Sequence, residues 1–96
     1  MKTPVIVKDK YIVYLEDYQG TSFIHCDCIG WNKDTKSKLS KDIDSLTQLH
    51  GKPIYAFHNK DDIKHRKFLK LMKFEFYSDI YCPTDGEVRQ LFVRSN

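Results

Sequence analysis

Ninety-six residues, of which 41% are hydrophobic, 14% aromatic and 30% charged, suffice for one domain with a single core and are too apolar for a disordered tail. Sixteen basic against 13 acidic residues leave a net charge of +3, a mild bias that attracts phosphate weakly and does not by itself mark a nucleic-acid binder. The amino-terminal MKTPVIVKDK has a short apolar run cut by Lys8, too brief for a signal-peptide core, and no stretch approaches a membrane span.

Pro4 to Val7 and Tyr11 to Tyr18 are β-branched and aromatic runs separated by Lys8-Asp9-Lys10, the pattern of two strands in a hairpin. Gln19-Gly20 turns the chain. From Thr21 to Ile29, Phe23, His25 and Asp27 alternate with Ile24, Cys26 and Cys28, which predicts a strand with two unlike faces. The segment from Trp31 to Leu39 is polar, with Asp34, Thr35 and Ser37 as competent N-caps for the helix that follows. Leu39, Ile43, Leu46 and Leu49 form its expected apolar stripe, and Gly51-Lys52-Pro53 stops it.

Ile54 to Phe57 reads as a short strand. Asp61 or Asp62 caps a second helix, with Ile63, Phe68, Leu71 and Met72 expected to face inward. Glu75 to Tyr81 and Glu87 to Arg94 are strands joined by a Pro83-Thr84-Asp85-Gly86 turn. The order is β-β-β-α-β-α-β-β, an α+β class with a mixed, mostly antiparallel sheet and two flanking helices. No internal repeat, linker or low-complexity segment divides residues 1–96, so a single domain is expected.

Several side chains invite chemical readings. His25, Cys26 and Cys28, with Cys82 and His58, are zinc-type ligands, but two cysteines at i and i+2 without a second pair lack knuckle spacing, so no metal is expected. Three cysteines, an odd count, suit thiols in a reducing cytoplasm. His25 or Asp27 is a candidate base and Tyr55 or Tyr81 a candidate acid, yet isolated polar strand residues more often face water, and no catalytic residue is assigned. Trp31 either seals the sheet against the first helix, the commoner fate of a lone Trp, or stacks on a ligand or partner. His65, Arg66, Lys67 and Lys70, with Lys60, Lys64 and Lys73 nearby, form a basic run. No nucleic-acid reader motif accompanies it, and a solvated helix face explains it. Trp31, Lys64, Arg66 and Lys67 are the candidate partner-binding residues.

The stretch KFLKLMKFEF from Lys67 to Phe76, followed by the hairpin ending in DGEVRQLFVR, resembles the carboxy-terminal half of the GNAT acetyltransferase fold. It is most similar to GNAT-like proteins of tailed bacteriophages, the internal virion proteins of short-tailed phages among them. The counterparts are Trp31, the Lys-rich segment from Lys33 to Lys41, His65 with Phe68 to Lys70 (H-x-x-FLK), and Asp85-Gly86 with Leu91-Phe92. The resemblance covers Thr21 to Arg94 and implies a GNAT domain without its amino-terminal βαα portion.

In GNAT enzymes the loop aligned with Lys33 to Lys38 binds the pyrophosphate of acetyl-CoA through a glycine-containing phrase. KDTKSK contains no glycine. Lys33, Thr35, Lys36, Ser37 and Lys38 are the candidate cofactor-binding residues, with lysine charges standing in for the missing backbone cradle. The Gly of the helix exit is replaced by Lys73, and the Tyr that protonates the leaving thiolate by Leu69, which has no proton to give. The resemblance therefore implies a degenerate protein that works without a cofactor through contacts with a host or virion protein, in the cytoplasm of a bacterial host or in the virion. The alternatives are an acetyl-CoA-dependent N-acetyltransferase acting on a protein or small amine, and a nucleic-acid binder. Exposed sheet edges make a homo-oligomer a further expectation.

Overall fold

The computed structural model describes residues 2–83 and 85–95, apart from the Cys82 side chain. Thr84 of the predicted turn and Cys82 of the zinc-type set therefore lie outside the described residues. The elements are β1 (Lys2–Val7), β2 (Tyr11–Tyr18), β3 (Thr21–Cys28), α1 (Lys33–His50), β4 (Ile54–His58), α2 (Ile63–Leu71), β5 (Glu75–Cys82) and β6 (Glu87–Arg94). The predicted element order and the α+β class are those observed. The six strands make one sheet in the order β1-β2-β3-β4-β6-β5, antiparallel except where β3 meets β4.

The first three strands form a meander because their connections are tight. Gln19 and Gly20 both have positive φ, 51° and 80°, as the two-residue turns that match strand twist require. Each of the two parallel steps, β3 to β4 and β4 to β5, is bridged by a helix. Right-handed crossovers moving in one direction across the sheet put both helices on the same face. The core is consistent with this: Leu39 and Ile43 of α1 and Leu69 of α2 are buried with Tyr11, Val13, Ile54, Ala56, Met72, Phe74 and Phe92. Each such aliphatic side chain removed from water contributes about 1.5–3 kcal/mol.

The helix faces differ from the expected stripes. On α1 the buried residues are Thr35, Leu39, Ile43 and Thr47, with Leu46 partly buried against them, while Leu49 is 87% exposed. Two successive three-residue steps from Ile43 rotate the side chain by about −120°, which carries Leu49 off the face that the four-residue row keeps buried. On α2, Leu69 is buried and Phe68 half-buried, whereas Ile63 and Leu71 are exposed. Met72 is buried but caps α2 rather than continuing it.

Two side-chain anchors fix α1 on the sheet. The Tyr11 hydroxyl donates to Asp42 Oδ2 at 2.5 Å, and burial together with that carboxylate holds the phenol pKa well above its ordinary value. At the far end, buried Arg94 of β6 donates to Asp44 on α1 and, at 3.1 Å, to the Met72 carbonyl beyond α2. Arg94 thus binds both helices to the last strand.

The exit of α2 keeps its turn without glycine. Lys73 sits at φ 66°, Phe74 N–H donates to the Leu69 carbonyl and Lys73 N–H to that of Lys70. This is the Schellman pattern, and the apolar contact that accompanies it is supplied by Leu69 and Phe74 in the core. The lysine accepts a left-handed backbone that costs about 1 kcal/mol for a residue with a Cβ.

Candidate functional site

Between β3 and β4 only Ser22–Ile54 and Phe23–Tyr55 keep parallel register among the described residues. Past them the strands diverge and leave a cleft of about 340 Å³ whose walls include Cys26, Asp27, Ile43, His65, Phe68 and Leu69. Backbone groups on the two facing strand edges are thereby freed from pairing with each other, so the slot suits an extended ligand that carries its own amides. The cleft opens toward the amino ends of both helices. There Cys28, Trp31, Lys36, Lys64, Lys67 and Phe68 surround a second, wider depression, and Cys28, His65 and Phe68 line both spaces.

Trp31 belongs to this mouth and not to the core. It is 47% exposed, with its ring tilted 5.9 Å from that of Phe68. Of the candidate partner-binding residues, Trp31, Lys64 and Lys67 converge at the mouth, while Arg66 points away, toward Lys70, Phe74 and Phe76.

The candidate cofactor-binding residues do not share one surface. The expected loop is helical from Lys33 onward, and the cap is Asn32 in place of Asp34, Thr35 or Ser37. At about 100° per residue, a run of five residues wraps more than once around the axis. Thr35 is buried, Lys36 faces the mouth, and Lys38 lies on the β1–β2 side with a 3.2 Å ion pair to Asp34. Lys33 and Ser37 are exposed.

The amino end of α1 is also satisfied from within. Asn32 Oδ1 accepts the Thr35 N–H at 2.8 Å and the Asn32 carbonyl accepts that of Lys36, so part of the donor set that would meet an anion is occupied. Asp34 adds a negative charge to the first turn.

Two histidines that no sequence motif links are joined by the fold here. His58, at the end of β4, is 1% exposed, and its Nδ1 lies 3.0 Å from Nδ1 of His65 on α2. A single proton occupies that contact, so one ring donates and the other accepts. Burial lowers both pKa values; the Asp62 carboxylate opposes this, while Arg66 adds to it at His58 and His58 adds to it at His65. Both rings are then neutral at pH 7. The discoverable signal was the alternation Ile54, Ala56, His58, which puts this imidazole on the buried side of β4.

The remaining polar strand residues separate by face. Cys26 and Cys28 lie on the helix side with their sulfurs 3.7 Å apart, and burial followed by the neighbouring sulfur pushes the Cys26 thiol up to about 12. His25 turns to the opposite side, where Nε2 lies 3.0 Å from Glu16 Oε1. His25 and the two thiols thus border the same cleft, but the imidazole is turned away from the sulfurs and held by Glu16. Tyr55 also faces the side away from the helices, with its ring 5.7 Å from that of Tyr77.

No protein-family model matches the chain, and no curated protein matches it in sequence. Solved structures do match in shape. A protein from Bordetella pertussis described as a GnaT-family acetyltransferase superposes with a TM-score of 0.70 at 9% identity, over 90% of this chain and 57% of its own. A crystal structure from Sphaerobacter thermophilus described as that of an acetyltransferase gives a TM-score of 0.50 at 8% identity, over 91% of this chain and 61% of its own. The chain thus spans less than two thirds of either neighbour. At such low identity the likeness concerns the fold, and the fold of this chain is GNAT-like.

Proposed function

We propose that this chain is a GNAT-like docking domain that engages a partner protein at the cleft mouth and does not transfer acetyl groups. The observation that carries the reading is the amino end of α1, where Asn32 takes up an N–H donor that a pyrophosphate would need and Asp34 adds negative charge to the first turn. Lys36 and Lys38 diverge to two different surfaces instead of forming one clamp. What remains at the mouth is a half-exposed indole beside Lys36, Lys64 and Lys67, three cations against the single carboxylate of Asp62, a combination suited to an acidic, apolar-tipped protein segment. The resemblance to phage virion proteins makes a virion component or a host protein the proposed partner. Among the described residues no helix is long and apolar enough to cross a membrane.

The test is calorimetry with acetyl-CoA, alongside melting in its presence. No heat and an unmoved Tm are expected. A saturable shift that disappears in a Lys36→Glu, Lys38→Glu variant overturns the reading.

The second reading, an acetyl-CoA-dependent N-acetyltransferase, is favoured by the diverging strands and by His65. That residue stands one helical turn before Leu69 and lines the same cleft, as a neutral imidazole held by His58. Bound coenzyme would supply the acyl thioester. Cys26, Asp27 and Phe68 would line its slot, and His65, neutral at first, would accept the proton released by the attacking amine and pass it to the departing sulfur. A mass gain of one acetyl group on an amine substrate, lost in His65→Ala, is the outcome required.

A further inference from the structure

Both helices lie on one face of the sheet, and none of the described elements covers the other. The strand register places Ile12 and Tyr14 of β2, Phe23 of β3, Tyr55 and Phe57 of β4, and Leu91 and Val93 of β6 on that second face. An antiparallel sheet with one solvated face normally shows polar residues there. Here the centre is apolar. Phe57 stacks on Phe23 at 4.6 Å and Tyr55 meets Tyr77 edge-on at 5.7 Å, so a ladder of rings crosses β3, β4 and β5. Phe57 and Tyr77 are nonetheless 39% and 59% exposed.

From this surface we infer that the chain forms a two-fold dimer in which the uncovered sheet faces pack against each other. Six strands about 4.8 Å apart, running from roughly 17 Å for β4 to roughly 26 Å for the longest, give a face of about 600 Å² in projection. That approaches the ~800 Å² per partner of a standard interface once side-chain relief is included. A second copy also fits the distribution of charge. Lys2 and Arg89 share the face with Asp27, Glu75 and Glu87 toward its margins, while Glu16, held by His25 at 3.0 Å, stands beside Phe23. A surface bearing both signs around an apolar centre is self-complementary under a two-fold axis, which brings each patch opposite its counterpart. A nucleic acid would require a positive excess that this face lacks. Sheets stacked about 10 Å apart would bury the ring ladder from both sides.

Sedimentation velocity of the full chain over a dilution series tests the proposal. Twice the chain mass is expected, with reversible dissociation on dilution. Tyr77→Glu and Phe57→Glu, both at exposed rings, each weaken dimerisation by about thirtyfold or more, the size of an interface hot spot, while retaining the circular dichroism of the parent. Leu49→Glu, on the exposed side of α1, leaves the dimer intact. A chain that stays monomeric at high concentration overturns the proposal, as does a dimer that survives both ring substitutions. Binding of single-stranded DNA by a monomer, lost with those same substitutions, overturns it in favour of a nucleic-acid platform.

Discussion

Nδ1 of His58 and Nδ1 of His65 lie 3.0 Å apart, joining the end of β4 to α2 through a contact that holds one proton. Both imidazoles have pKa values below 6.5 in the folded chain, chiefly through burial. As pH falls from 7, the unfolded chain therefore takes up protons first. Stability is fully present above the unfolded value of 6.5 and is lost as pH drops through it toward the depressed folded values. The urea midpoint is expected to fall between pH 7 and pH 5 in the parent. Replacing both residues with apolar side chains flattens that slope. An equal slope in the double variant would assign it to other groups.

Removing one partner is a sharper test. His65→Ala leaves the His58 ring with no partner at either nitrogen, since Nε2 already lacks one. A buried polar group stripped of its hydrogen bond costs about 1–3 kcal/mol. Chemical denaturation should show that loss above pH 7, where protonation plays no part. A change below about 0.5 kcal/mol would mean the contact contributes little.

At Lys73 the expected direction is reversed. Its φ of 66° favours glycine, and its ammonium makes only a 3.6 Å exposed pair with Asp44, an interaction worth a few tenths of a kcal/mol. Lys73→Gly should therefore raise stability by about 0.5 kcal/mol, and Lys73→Ala should not. A glycine variant no more stable than the alanine variant counts against the strain.

How much of this was legible follows from the physical range of each signal. The two faces of β3 are written in the alternation of Phe23, His25 and Asp27 with Ile24, Cys26 and Cys28, because a strand's period is fixed by local geometry. The element order was readable for the same reason. Asn32 as the cap of α1 was not, since four nearby residues are competent and only the exit angle from β3 selects among them. The exposure of Leu49 and the burial of Thr35 depend on where α1 lands on the sheet. The His58–His65 contact depends on how β4 and α2 pack, and no spacing encodes that. Likewise Lys36 and Lys38 stand two residues apart in the sequence but occupy opposite sides of a helix end whose start the polar run from Trp31 to Leu39 does not mark.

Arg94 should prove the most sensitive of the polar side chains. Its guanidinium serves Asp44 and the Met72 carbonyl together, and the favourable arginine lowers the Asp44 pKa, through the hydrogen bond first. Arg94→Ala leaves a carbonyl without its donor and reduces packing between β6 and both helices. About 2 kcal/mol of destabilisation is expected after allowing for the exposure of Asp44. Arg94→Lys should recover only part of it, because an ammonium lacks the planar fork that reaches two acceptors. Full recovery by lysine would show that charge alone matters.

The thiols offer a readout of the cleft itself. Cys26 is partly buried with its pKa pushed up to about 12, while Cys28 is exposed and lines both the cleft and its mouth. Since the thiolate is the reacting form, iodoacetamide at pH 8 should label Cys28 well before Cys26, as followed by peptide mass spectrometry. A molecule seated in the slot would shield Cys28. Under the docking reading, acetyl-CoA leaves the labelling rate of Cys28 unchanged, whereas under the transferase reading it slows that rate in proportion to occupancy. Protection of Cys28 by acetyl-CoA, absent in the Lys36→Glu variant, would move the assignment to the enzyme without any turnover being measured.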